Sequence, residues 1–284
     1  MGEMMATRTW ISTSSTDWNT AANWSGAAVP VNGDDVYITS GSTNIAGYDA
    51  SATDLTSLTV GSSYTGTIGS SGTELEINAT TFNFAGASDA YIDNCTFTNF
   101  IVQSTSSSST ALNLSNATIT NLRVFGGFGT VTVSSGSITT KIEQIGADGV
   151  TLNIADGLTI GGSCTLTVDS GILQLNQAVP TITVFGGLVD IQLDSGTITT
   201  LNQYGGRIRW IPTASCTITA LNLYSGLFDA KDSTSPTYTI TDATVHENGT
   251  INEASGISNA TWTNPISMEG GKILYDSGRS VTIT

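Results

Sequence analysis

The residues best placed for chemistry lie in the second half of the chain. Three positions beyond Gly187, Gly206 and Gly226 stand Asp190, Arg209 and Asp229, with Arg207, Lys231 and Asp232 close by. If each glycine marks the same corner of a repeating coil, the three form one column of alternating charge. Hydrolysis of a glycosidic bond needs two carboxyls about 5–10 Å apart. Coils next but one to each other, ~9.6 Å apart, would supply them. One reading is therefore a lyase or hydrolase cleft. The other is an ion-pair ladder on a solvated face, in which Arg209 separates two carboxylates that would otherwise repel. The ladder accounts for the alternation, and no aromatic platform or dense Asp/Lys/Arg cluster is evident beside it. The sequence predicts a chain that is not an enzyme, with no catalytic residue in this column.

The remaining reactive side chains read as structural. The single histidine, His246, sits in Val245-His246-Glu247-Asn248-Gly249 and reads as a corner residue. Without a second histidine it makes a poor metal site. Gly33-Asp34-Asp35 could bind a cation but fits turn chemistry better. Cys95, Cys164 and Cys216 are odd in number, far apart and without C-x-x-C spacing, so buried free thiols are expected. No metal and no cofactor is predicted.

These residues gain meaning from an internal repeat. Thr183-Val184-Phe185-Gly186-Gly187, Asn202-Gln203-Tyr204-Gly205-Gly206 and Asn222-Leu223-Tyr224-Ser225-Gly226 each end an apolar strand with an aromatic and a small-residue corner. A second corner reads Ser134-Ser135-Gly136, Asp169-Ser170-Gly171 and Asp194-Ser195-Gly196, followed by Thr-rich strands. Ile198 then falls one period before Ile218, and Leu201 one period before Leu221. Between Gly146 and Phe185 the period blurs, but the gap suits two coils. A fixed period with apolar columns predicts an all-β fold, a single-stranded parallel β-helix (β-solenoid) with coils of about 20 residues. Sandwiches and barrels give no reason for such columns. Residues 45–284 form the predicted solenoid, with room for about 12 coils. Ser104–Thr110 and Asp229–Pro236 read as loops thrown out from corners, and Ser280–Thr284 as a strand-like end.

Eight basic residues against 23 acidic ones give a net charge of −15. That argues against nucleic acid and anionic membrane as partners and favours solubility. After Met1–Arg8 there is no apolar run of the kind a secretion signal needs, and no segment is apolar enough to span a bilayer. Synthesis in a reducing cytoplasm is expected.

Residues 1–44 read as a separate N-terminal segment. Trp10, Trp18 and Trp24 crowd into it. Trp18 to Trp24 leads through Val29-Pro30 to Gly33-Asp34-Asp35-Val36-Tyr37-Ile38. This W-x-x-x-x-N-W-S…P-x-x-G-D-x-V-x-I arrangement resembles the opening of many bacterial and phage β-helix proteins, autotransporter-like passengers included. The stretch Ala90–Phe100 resembles coils of the right-handed β-helix families, which include pectate lyases and phage tailspikes. Asn94 and Asn99 stand where those folds place turn asparagines. For the tryptophans, one reading is a lid over the exposed end of the first coil. The other is a docking patch, since Trp anchors interfaces.

The resemblance implies a protein of a bacteriophage virion surface. The leading expectation is a non-enzymatic head decoration or cement protein, made in the host cytoplasm and carried outside the capsid. Its partners would be the major capsid protein and a homo-oligomeric copy of itself. A tailspike domain that recognises a surface polysaccharide, a bacterial adhesin and a polysaccharide lyase are the alternatives, so a glycan partner stays open.

Overall fold

A computed structural model of the chain describes residues 6–103, 111–230, 238–253 and 260–275. The expected loops at Ser104–Thr110 and across Lys231 and Asp232, and the end Ser280–Thr284, lie outside the described residues.

The chain is an all-β parallel solenoid, and among the described residues its helix amounts to two short 3-10 turns, Ala21–Asn23 and Ser25–Ala27. Two compact units can be told apart, one of residues 1–139 and 149–151, the other of residues 140–148 and 152–284. In the first, strand Asp35–Gly41 pairs with Tyr48–Tyr64, that with Leu75–Phe84, then with Thr96–Val102 and Ala117–Phe125, always in parallel. Parallel pairing already begins at Thr7–Thr9, which lies beside Asp35–Tyr37. In the second, Thr165–Val168 pairs with Thr181–Val184, then with Thr197–Gln203, Thr217–Asp229 and Tyr238–Glu253.

Parallel pairing without slippage makes columns. Because successive side chains of a strand point to opposite faces, each in-facing residue sits on the in-facing residue of the next coil. Leu166, Ile182, Leu201, Leu221 and Ala243 form one such column. Leu173, Val189, Ile208, Phe228 and Ile251 form a second. All ten are buried. Ile198 lies beside Ile218, as the sequence requires. In the first unit Val36, Leu58, Phe82, Phe100 and Leu122 align in the same way. There Phe82 meets Phe100 edge-on, with ring centroids 5.0 Å apart.

The coils lie about 22 residues apart and make about 10 turns among the described residues, against the expected 20 and 12. The strands hold register while the turns between them vary. Lys141 lies beside Thr165, and Thr165 beside Thr181, a long coil followed by a short one. That explains why the period blurs in this stretch yet recovers two coils later. Asn94 has the positive φ of a turn asparagine, at 44°. Asn99 does not: it lies inside strand Thr96–Val102, where its side-chain Oδ1 accepts a hydrogen bond from Nδ2 of Asn121, 3.1 Å away in the next coil.

The glycine corners follow from close approach of successive coils. A Cβ on Gly205 would fall 2.3 Å from the carbonyl oxygen of Phe185, and Gly206 adopts φ +67°. No other residue fits both positions without moving the backbone.

Leu201→Ala should lower stability by about 2–5 kcal/mol, since it opens a cavity in a continuous column. Thr199→Ala on the exposed face should cost less than about 0.5 kcal/mol. Urea unfolding of both variants checks this; equal losses would contradict the columns.

Candidate functional site

The charged residues occupy the outward face of the strands that follow the glycine corner in the second unit. Asp190 lies beside Arg209, and Arg209 beside Asp229. Gln174 precedes Asp190 in this column and Asn252 follows Asp229. Arg209 grips Asp190 with both arms of its fork: Nε donates to Oδ1 at 2.6 Å and Nη2 to Oδ2. Asp229 accepts Nε of Arg207 at 3.1 Å and also its Nη2, and takes Nδ2 of Asn252 on its other oxygen at 3.1 Å.

Burial is unequal within these pairs. Asp190 and Asp229 are 4% and 3% exposed, while the side chains of Arg209 and Arg207 are 37% and 43% exposed. The carboxylates thus lie beneath the guanidinium groups instead of on an open face. A general acid or nucleophile needs an oxygen that substrate can reach. Here the oxygens face planar donors that fit them two at a time. The arrangement suits cohesion between coils better than proton transfer.

On the other side of the same corner the repeated aromatics, aligned in the sequence as corner markers, form a stack that the alignment did not foretell. The rings of Phe185 and Tyr204 stack 5.1 Å apart with planes 16° from parallel. Tyr204 and Tyr224 follow at 4.4 Å and 2°, then Tyr224 and His246 at 4.4 Å and 10°. Phe185 is 53% and Tyr204 44% exposed. His246 stands at this corner, where the long strand Tyr238–Glu253 shifts register; it closes the stack and places Nδ1 2.7 Å from Glu269 Oε2. Lost solvation raises the Tyr224 phenol above its ordinary range, with Tyr204 and the Glu269 carboxylate adding to the effect. The 19- and 20-residue spacing of Phe185, Tyr204 and Tyr224 was the available signal. His246 escaped it because that coil is two residues longer: Thr197 lies beside Thr217, 20 positions on, but Thr217 lies beside Thr239, 22 positions on.

Gln203 was also missed. It occupies an interior column between Val184 and Leu223 and is fully buried. Its Nε2 donates to the carbonyls of Gly205, Gly206 and Leu227 at 3.1–3.2 Å, bracing the corner from inside. A polar residue that breaks an apolar column was its mark in the sequence.

Trp10, Trp18 and Trp24 pack on one another and are at most 2% exposed. Trp24 meets Trp10 and Trp18 edge-on at 5.1 and 4.6 Å, and its Nε1 donates to the carbonyl of Trp18 at 2.7 Å. Their faces are taken up by the chain itself. The other residues of the motif are similarly engaged. Asn23 donates Nδ2 to the carbonyl of Asp17 at 2.6 Å. Asp34, 1% exposed, accepts the backbone N–H groups of Ala6 and Val31 and the Nε of Arg8.

The three cysteines are free and buried. Burial pushes the Cys164 thiol up to about 11 and the Cys216 thiol up to about 12. Burial and then the nearby Asp93 carboxylate raise Cys95 as well. Among the described residues no three His, Cys, Asp or Glu side chains converge as a metal site would require. An open cavity of about 320 Å³ in the first unit is lined by neutral groups, Thr16, Asn44, Ser70 and Thr73 among them.

No protein-family model matches the chain, and neither a curated protein nor a solved structure matches it.

Arg209→Ala should cost about 3 kcal/mol, because it strips a buried carboxylate of its partner. Asp190→Asn keeps the shape and leaves a half-exposed guanidinium that water can solvate, so a loss of about 1 kcal/mol is expected. Chemical denaturation of the two variants reads the asymmetry; the reverse order would contradict the burial argument.

The thiols give a pH dependence. An unfolded cysteine releases its proton near pH 9, whereas the folded Cys164 and Cys216 hold theirs to about 11 and 12. The folded state then binds more protons, so stability is intact below pH 9 and falls as pH rises through 11 and 12. Urea midpoints across that range should decline, and alkylation at about pH 8 should proceed only after unfolding. Rapid labelling of the folded protein would contradict this.

Proposed function

We propose that the chain is a non-enzymatic structural protein of a bacteriophage virion, a decoration or cement protein bound to the major capsid protein on the outside of the head. The observation that carries this reading is the use of the charged column. Asp190 and Asp229, the residues most suited to glycan chemistry, are clasped by Arg209 and Arg207 and buried. A chain whose carboxylates and rings tie coil to coil suits load-bearing better than turnover. A parallel solenoid also gives a stiff display element, since each coil is held along its length by its neighbours. The charge of −15 supports solubility and an exterior position facing solvent instead of packaged nucleic acid. In this reading the protein is made in the host cytoplasm and joins the head there.

The test is mass spectrometry of purified virus particles from the same source, followed by rebinding of the purified chain to heads stripped of it. The expected result is a fixed ratio of chain to capsid protein, saturable rebinding, and heads that rupture at lower temperature without it. Absence from the particles would overturn the proposal.

A further inference from the structure

Four side chains in the sequence precede a glycine in the way that lets a chain cyclise on itself. Asn32-Gly33 and Asn248-Gly249 are the more reactive pairs, because ammonia leaves an amide more readily than water leaves a carboxyl group. Asp148-Gly149 and Asp156-Gly157 are the slower aspartate versions. In each, the glycine leaves the following nitrogen unshielded.

The fold reverses this order. Gly33 donates its N–H to the carbonyl of Asp54 at 2.9 Å, and Asn32 Oδ1 accepts the N–H of Asp54 at 2.9 Å. The attacking and the attacked group are thus both held by the next coil. Asn248 and Gly249 lie inside strand Tyr238–Glu253, beside Ser225 and Gly226. Gly249 is buried, and a Cβ on it would fall 2.6 Å from the carbonyl oxygen of Leu223, so the peptide has no room to turn. Gly149 opens strand Gly149–Ile154, which fixes one side of the third pair.

Asp156-Gly157 is held by none of these. Both residues are exposed, in the turn between strands Gly149–Ile154 and Thr159–Ile160. Gly157 has φ +83°, and a Cβ on it would meet nothing within 4 Å. Its N–H is donated not to the backbone but to Asp156 Oδ1, at 2.7 Å. That contact holds the carboxyl group against the nitrogen that would attack its carbon, as a near-attack arrangement requires.

We propose that Asp156-Gly157 is a modification site, at which the folded chain converts aspartate to isoaspartate without a catalyst. The Gly157 nitrogen bonds to Asp156 Cγ. The proton of that nitrogen, one carboxyl oxygen and one proton from solvent leave as water, and a five-membered succinimide remains. Water then adds to one ring carbonyl and the C–N bond there breaks. Opening at Cγ restores aspartate. Opening at the backbone carbonyl leaves isoaspartate, with the chain running through Cβ and Cγ and a free α-carboxylate in the turn. Nothing is oxidised or reduced. The exposed product is a substrate for methyltransferases that esterify isoaspartate. The inference does not rest on a place in a virion.

The full chain is aged for weeks at neutral pH and body temperature, beside a sample kept unfolded in guanidinium chloride. Isoaspartate is then labelled with such a methyltransferase and located by peptide mapping. In the folded chain the label is expected at Asp156, about ten-fold ahead of Asn32, Asn248 and Asp148. In the unfolded chain the order inverts and the two asparagines lead. Asp156→Glu would need a six-membered ring, so it should remove the label at this turn and leave the other three positions as they were. A folded chain labelled first at Asn32 or Asn248, or not at all at Asp156, would overturn the proposal. So would the same order in both samples.

Discussion

Backbone hydrogen bonding between successive coils, ~4.8 Å apart, sets the terms for every side chain in this protein. Parallel strands in register place each residue against its counterpart one coil away. Like then meets like, and each residue type must tolerate that meeting. Apolar residues do so readily, as in the column Leu166, Ile182, Leu201 and Leu221. Amides can donate to each other, as Asn222 Nδ2 does to Asn202 Oδ1 at 2.9 Å. Rings can stack, as Tyr204 does on Tyr224. Carboxylates cannot meet without repulsion, so Asp190 and Asp229 are separated by Arg209 in the column and covered by guanidinium groups.

The same constraint creates a problem where stacking begins. Among the described residues strand Thr7–Thr9 has a coil on one side only, and its other edge would offer unpaired backbone groups. The tryptophan segment resolves this locally. Thr9 donates its N–H to Ser25 Oγ at 2.9 Å, and Ile11 donates to the carbonyl of Asn23 at 2.9 Å. Trp10 and Trp24 form an antiparallel bridge that blocks further parallel addition. Antiparallel backbone and side-chain acceptors occupy this edge, and the three indoles pack beside it.

The architecture was legible in the sequence because columns leave a period. Ile198 with Ile218, Leu201 with Leu221, and Asp190 with Arg209 and Asp229 could all be aligned from the glycine corners. What escaped depended on turn length and on direction. A coil of 22 residues between Thr217 and Thr239, where the one before it has 20, hid His246 from the aromatic column, and a long coil followed by a short one blurred the period around Thr165. Burial of Asp190 and Asp229 was illegible because it comes from the arginines folding over them, which depends on side-chain conformation. The aromatic residues were read as corner markers, since a period reveals that residues align but not that their rings lie coplanar and exposed.

Register is the claim on which the columns, the clasped carboxylates and the ring stack all stand. It can be measured by cysteine cross-linking between neighbouring coils, against a low background because the native thiols are buried. Thr197 lies beside Thr217, at a separation that a disulfide spans. Under mild oxidation the Thr197→Cys, Thr217→Cys pair should close within the monomer, whereas Thr197→Cys with Thr219→Cys, two positions out of register, should not. Closure of the offset pair in preference to the aligned one would contradict the account.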